Sequence, residues 1–308
     1  MNRLKKRSIG VIVVDCTMSH YNGDPDVDDM GRMTIDNHGI ISPQCLKHRL
    51  RSLIADPESV VWDHFQNKFG LSLDTHSIFE SRLKGFDVAT SKDAIDKFKA
   101  FILKNGEQEV CKKFWDIRAF GCTALSEDKK AKKDKKLRFT RTGCITVSPL
   151  LTLLPIDMVE QSLVKAYPLS EKFSKEEQCC PAPGAMKFAR HGLFIGTYVI
   201  NPADAHKTGT TEEDIEIFKS LIVSSLSSTT SANRSGLRVL QVLHADHDNP
   251  IGSFKEHDFI KACTPKIIDE SLIESGTPST SLDDYVLKTP EDVMKEMKGI
   301  NIIDLCQE

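Results

Sequence analysis

No Cys-x-x-Cys pair occurs in the 308 residues; the nine cysteines are scattered, and Cys179 and Cys180 are the one adjacent couple. An odd count without a spacing framework excludes a disulfide scaffold and fits a reducing cytoplasm. Cys179, Cys180 and His191 lack the second ligand pair that a structural zinc needs. No stretch approaches about 20 apolar residues, so no membrane span is expected. The start, MNRLKKRSIGVIVVDC, imitates a leader peptide, but its apolar core from Ile9 to Val14 is short. Asp15 ends it where a small-residue cleavage site belongs, so it reads as a strand. Internal repeats are absent too.

What is present is ordinary globular material: 40% hydrophobic and 28% charged residues, enough chain for one elaborated domain or two. The net charge of −3 conceals segregation. Lys129 to Arg141 (KKAKKDKKLRFTR) carries eight basic residues against one acidic, whereas Asp269 to Glu308 is acid-rich. Local charge sets the field that a polyanion meets, so a nucleic-acid partner stays open.

Ser8 to Cys16 (SIGVIVVDC) is β-branched and apolar on both faces, the pattern of a central strand. A turn is expected at Asn37-His38-Gly39. Ser42-Pro43 reads as N-cap and first residue of a helix whose stripe is Leu46, Leu50, Leu53 and Ile54, with Lys47 and Arg51 on its flank. Residues 56 to about 114 form a polar, mostly helical insertion. FWDIRAFG follows, then the basic loop, a strand over Gly143–Leu154, and a projection from Tyr167 to Pro183. Gly192–Ile200 is another strand. Thr210–Glu213 is expected as a capping box, opening a helix with Ile215, Phe218 and Ile222 inward. Gly236–His244 is the last strand. Without insertion and projection, the order is strand, helix, strand, strand, helix, strand: a split β-α-β, ferredoxin-like arrangement.

The loop HYNGDPDVDDMG (His20–Gly31) sets Asp24, Asp26 and Asp28 as positions 1, 3 and 5 of a calcium loop. Position 6 is then Asp29 instead of glycine, and position 12 is Ile35 instead of a bidentate glutamate, so calcium is excluded. The loop reads as a turn shaped by Asn-Gly and Asp-Pro, its carboxylates capping backbone or pairing with Arg32 or a neighbouring subunit. HADHD (His244–Asp248) would send its two histidines to opposite sides of a strand, which makes it structural. No metal and no cofactor is expected.

NGDPD after the first strand, CLKHRLR, WDIRAFG, HGLFIGTYVINPADAHKTGTTEEDIEIFKSLI and SGLRVLQVLHADHDNPIG stand in one order over residues 8 to 265. In that order and spacing they resemble the backbone subunit of CRISPR Cascade effectors, nearest the type I-C branch with type I-B as kin. The resemblance implies an α+β fold: an RNA-recognition-motif (ferredoxin-like) palm, inserted helical fingers and a projecting thumb hairpin or loop. The divisions would be palm 1–55, fingers 56–115, palm 116–160 with basic loop 129–141, thumb 161–190, palm 191–268 and an acidic extension 269–308. The lysine-rich loop and the acidic extension are departures for which the resemblance supplies no counterpart. The basic-glycine-aromatic strand that stacks bases in true RNA-recognition domains is absent, so no bare stacking sheet is expected.

The resemblance implies a non-catalytic protein whose copies polymerise along one CRISPR RNA and present it to a target DNA strand. Its partners would be identical subunits, a guide-end cap, a large subunit and a recruited helicase-nuclease. RNA contacts are expected from Asn22, Gly23, Arg32, Lys47, His48, Arg51, Arg118 and Phe120, with Arg49 on the opposite rim. The thumb would add Lys172, Phe173, Lys175, Met186, Lys187 and Arg190. Lys129, Lys130, Lys132 and Lys133 form a handle for DNA, or serve solubility. Two rival readings stand beside it: a metal-dependent endoribonuclease using Asp24 or Asp26, and a stand-alone RNA-recognition-type module.

Overall fold

The apolar run behind the basic start becomes β1 (Ser8–Ser19), twelve residues long and buried on both faces. It belongs to a computed structural model that describes residues 4–27, 29–81, 91–125, 138–164, 183–228 and 231–307. A small ribbon, β2 (Gly23–Asp24) with β3 (Met30–Gly31), closes the acidic loop, and β4 (Ile40–Ile41) leads into α1 (Pro43–Leu53). The turn that precedes β4 holds Asn37 at φ 63°, a left-handed conformation that asparagine tolerates. α2 (Val60–Phe69), α3 (Ser91–Asn105), α4 (Glu107–Lys113) and α5 (Trp115–Phe120) follow, then a second ribbon, β5 (Gly121–Leu125) with β6 (Arg138–Thr142). β7 (Ile145–Val147), β8 (Leu150–Thr152), β9 (Met158–Val164) and the long β10 (Pro183–Ile200) return the chain to the main sheet. The rest is α6 (Pro202–Thr208), α7 (Glu212–Ser224), β11 (Leu237–Asp246), α8 (Glu256–Cys263), β12 (Lys266–Ile267), α9 (Ser271–Ser275), β13 (Tyr285–Val286), α10 (Pro290–Glu296) and β14 (Ile302–Asp304).

The main sheet runs β14-β11-β1-β10-β8-β4, with β7 and β9 also paired to β10, and every pairing is antiparallel. β1 sits centrally, as its two-faced burial requires. Ile12, Val14 and Cys16 face one layer with Leu46, Leu50 and Leu53 of α1 and Ile215, Phe218, Leu221 and Ile222 of α7. Ile9, Val11 and Val13 face a second layer that includes Phe259 of α8, Tyr285, Val293 and Ile302. The acidic extension, for which the sequence offered no place, thus covers one sheet face and adds an edge strand. A third cluster, around Phe79, Phe98, Phe114 and Phe139, fills the helical insertion.

Three expectations shift. The strand over Gly143–Leu154 is split into β7 and β8, because Pro149 has no N–H for a ladder and Ser148 turns the chain there. The capping box is Thr211–Asp214, one residue later than expected, since the Thr210 hydroxyl is spent on the Arg118 carbonyl at 3.1 Å. β10 starts nine residues before Gly192, and its first half pairs with β9 as a two-stranded arm from Met158↔Ala189 to Val164↔Pro183. Most of the projection from Tyr167 to Pro183 lies outside the described residues. No helix among the described residues is long and apolar enough to cross a membrane.

Candidate nucleic-acid interface

The opening loop is tied to α1 by one side chain. Asn22, 8% exposed, accepts from both the backbone N–H and the hydroxyl of Ser42 at 2.9 Å through Oδ1. Ser42 in turn caps the helix by accepting from the Cys45 N–H. Asn22 Nδ2 donates to the Gly23 carbonyl at 3.0 Å, which also receives Arg32 Nε at 3.3 Å. Arg32 pairs with Asp24 at 3.5 Å, and Asp24 accepts from the Asp26 N–H. Pairing and capping are the two roles expected of these carboxylates. Asp28 lies outside the described residues.

The flank of α1 gathers three of the expected residues. Lys47 Nζ stands 5.4 Å and the Arg51 guanidinium 5.3 Å from the ring centre of Phe120, the last residue of α5. Phe120 is held in turn by edge contacts with Trp115 and Phe218. Arg51 Nε lies 3.1 Å from Asp116, a buried carboxylate that also accepts from the Phe79 and Glu80 N–H groups. Lys47 Nζ has no acceptor among the described residues. Burial, and then the charge of Arg51, holds its amine below the usual lysine range. Two cations over one ring, with one carboxylate between them, leave a partly desolvated positive charge without its anion. His48 is exposed on the same helix. Arg49 is buried on the other side, donating to the Tyr21 carbonyl at 3.4 Å.

Arg118 has a different surrounding. It is 5% exposed, forks the Asp214 carboxylate through Nε and Nη2 at 3.0 and 2.7 Å, and directs Nη1 at the carbonyls of Thr75, Cys111 and Lys112. Every guanidinium nitrogen has a protein acceptor. Arg118 therefore fastens the insertion to the start of α7, beside a cleft of about 300 Å³ bordered by His76, Lys112 and Glu213.

On the arm of β10, Met186 and Lys187 are half-buried opposite Gln161 and Glu160, while the exposed Arg190 pairs with Asp157 at 3.3 Å. The Lys187 carbonyl receives the ring of His20 at 3.1 Å, joining the arm to the opening loop. Lys172, Phe173, Lys175, Lys129, Lys130, Lys132, Lys133 and the couple Cys179-Cys180 lie outside the described residues.

Sequence reasoning missed the buried carboxylates. Asp116 and Asp214 anchor Arg51 and Arg118; a lone aspartate inside the apolar run FWDI was the available signal for Asp116, whereas Asp214 stands among glutamates and gave none. Asp15 is another: its carboxylate meets His191 at 3.3 Å, Arg238 at 3.0 Å and the Thr17 hydroxyl. Burial pushes its pKa up, but the hydrogen bonds from His191 and Thr17 and the Arg238 charge outweigh that and hold it below the ordinary value. His244 stacks on Tyr198 and His247 on Phe254, both buried, which is the structural use expected of HADHD. Among the described residues no group of three histidine, cysteine, aspartate or glutamate side chains is arranged for a metal.

Comparison with known proteins adds the following. No curated protein matches the sequence. Solved structures that match include a chain of a "CRISPR RNA-guided surveillance complex, pre-nicking", 11% identical, with a TM-score of 0.49 over 96% of this chain and 90% of that one. Another, from a "CRISPR RNA-guided surveillance complex", is 12% identical, with a TM-score of 0.44 over 97% and 87%. The family described as "CRISPR-associated protein Cas7" matches residues 6–290, nearly the whole chain from before β1 to the start of α10, and this protein belongs to it.

Proposed function

We propose that this protein is the repeating, non-catalytic backbone subunit of a Cascade-type surveillance complex, coating a CRISPR RNA and holding it for pairing with target DNA. Family membership sets the class. The observation that carries the reading is the Lys47–Phe120–Arg51 cluster, a preformed cationic ledge suited to an anionic sugar-phosphate chain and indifferent to base identity. A subunit that must accept any spacer needs contacts of that kind, with sequence left to base pairing.

The order β11-β1-β10-β8, with α1 and α7 on one face, supports reading the sheet as a split β-α-β palm of the RNA-recognition type. On that reading the helical insertion forms the fingers, the β9–β10 arm forms the base of the thumb, and the subtype is I-C. With both sheet faces covered, the guide lies along the α1 flank and the opening loop rather than on bare strands. The lysine run at 129–133 then offers a salt-sensitive grip on DNA. Further partners are identical subunits, a guide-end cap, a large subunit and a helicase-nuclease, in the cytoplasm.

Native mass spectrometry of the protein co-expressed with a CRISPR RNA tests this. Copy number should rise stepwise as the spacer is lengthened, because affinity comes from many weak sites along one strand. A single copy per RNA at every length, or no RNA at all, would refute it. Magnesium-dependent cleavage of target RNA, lost on Asp24→Asn, would replace it with the endoribonuclease reading.

A further inference from the structure

The C-terminal extension carries an apolar surface that the fold does not use. In the β12–β13 ribbon Lys266 stands opposite Val286 and Ile267 opposite Tyr285, and the Ile268 N–H continues the ladder to the Asp284 carbonyl at 2.9 Å. Alternate residues of a strand face opposite ways. Ile267 and Tyr285 turn in to the second layer, so Lys266, Ile268 and Val286 turn out. Ile268 is 62% and Val286 51% exposed, and the exposed Ile273 follows on α9. Beside them in the chain stand the exposed Asp269, Glu270, Glu274 and Asp283, against the single cation of Lys266.

The helical insertion shows the reverse charge. Leu103, near the end of α3, is 77% exposed, although Phe98 and Ile102 of the same helix are buried in the third cluster. Lys104 follows it, exposed, and Lys99 stands one turn before it, held only loosely by Asp96 at 3.8 Å. The nearest acids of α4 are already matched, Glu107 by Arg141 and Glu109 by Lys112. These two surfaces lie on opposite sides of the sheet. The extension packs on the face of Ile9, Val11 and Val13, while the insertion joins the other layer through Trp62 and Phe65 of α2. One copy cannot bring its own two surfaces together, but two copies set head to tail can.

We propose that the outward face of the β12–β13 ribbon docks on the end of α3 of a second copy, with Ile268 and Val286 against Leu103 and the acidic rim against Lys99 and Lys104. The inference rests on the guide-coating reading, which makes copies neighbours on one strand, and it names the surfaces by which neighbours touch. Apolar contact supplies the attraction, and opposite charge sets which surface meets which. A contact between unlike surfaces leaves one of each free at the two ends, so it repeats. A handful of apolar side chains falls well short of the roughly 20–30 residues a side found in stable complexes. The contact is therefore weak between free copies and strengthens when a shared strand holds them at high effective concentration.

The test uses full-length protein without RNA, followed by sedimentation velocity over a concentration series at low salt, so its failure leaves the guide-coating reading standing. The wild type should associate reversibly into a ladder of species, and less so as salt is raised. Leu103→Asp spoils one surface and Ile268→Lys the other; both positions are exposed, so both variants should fold, and each alone should stay monomeric. Mixed in equal amounts, the two variants retain one good surface each and should form a dimer that grows no further. A wild type that stays monomeric at its highest soluble concentration overturns the proposal. So does a variant that associates like the wild type, or a mixture that gives no dimer.

Discussion

Arg118 and Asp214, 96 residues apart, meet as a buried two-pronged ion pair at 3.0 and 2.7 Å. Asp214 is at the same time the third residue of α7, accepting from the Thr211 N–H at 2.9 Å. One carboxylate therefore caps a helix and holds the cation that gathers the carbonyls of Thr75, Cys111 and Lys112.

Removing one partner of such a pair strands the other. Arg118→Met should destabilise the protein by about 3–5 kcal/mol, read from urea or guanidinium midpoints. Arg118→Lys should recover little, since an ammonium cannot fork the carboxylate. A variant with wild-type stability would show that the pair is not a structural anchor.

Lys47→Met should weaken binding to single-stranded RNA of any sequence and lower the slope of log K against log salt by about 0.7 for each phosphate left without its cation. Phe120→Leu should weaken binding less, because it removes the ring that positions both cations but keeps their charge. Filter binding across a salt series separates the two. Unchanged slopes would place the guide elsewhere.

Acid should act in two windows. Burial lowers the pKa of His20, His76 and His247 from the ordinary 6.5. The unfolded chain therefore takes up protons first, and stability falls as pH drops below about 6.5. A second loss begins below about 4.5. There the hydrogen bond from Arg7 holds Glu256 below its ordinary value, and the hydrogen bond from His244, then that from Ser8, does the same for Asp246. Asp116, raised by burial, works the other way in that window. Denaturant midpoints measured from pH 8 to 3 check both; a flat profile between pH 7 and 5 would contradict the first.

Asp15, His191 and Ser279 stand in the order of a hydrolase triad, with His191 Nδ1 2.6 Å from Ser279 Oγ. Ser279 is 1% exposed and its hydroxyl donates to Asp284 at 2.9 Å, so its proton points away from the histidine. A fluorophosphonate probe should leave Ser279 unlabelled, and Ser279→Ala should lower the melting temperature by loosening the C-terminal extension. Labelling of Ser279 would be the contrary result.

Much of this architecture was legible in local pattern. The two-faced strand at Ser8, the Ser42-Pro43 helix start, the Asn37 turn and the burial of Leu46, Leu50, Ile215 and Phe218 follow from periodicity and capping, which act over a few residues. Lys47, Arg51 and Phe120 were singled out, but their convergence on one ring was not foreseeable, because Phe120 arrives from an element some 70 residues away. Arg118 shows the same limit from the other side: an arginine beside aromatics reads as a ligand contact, and its fork to Asp214, on a distant helix, leaves no trace in the sequence. The extension 269–308 was opaque because its buried residues, Tyr285, Val293 and Ile302, are too widely spaced to make a run.

The main sheet ends in very short strands, two residues in β4 and three in β14. At those two edges such stubs give a second sheet almost no ladder to extend, so copies gain little there from pairing edge to edge. On the guide-coating function proposed above, growth along an RNA then waits for that template to line the subunits up, which ties assembly to the presence of a strand to be carried.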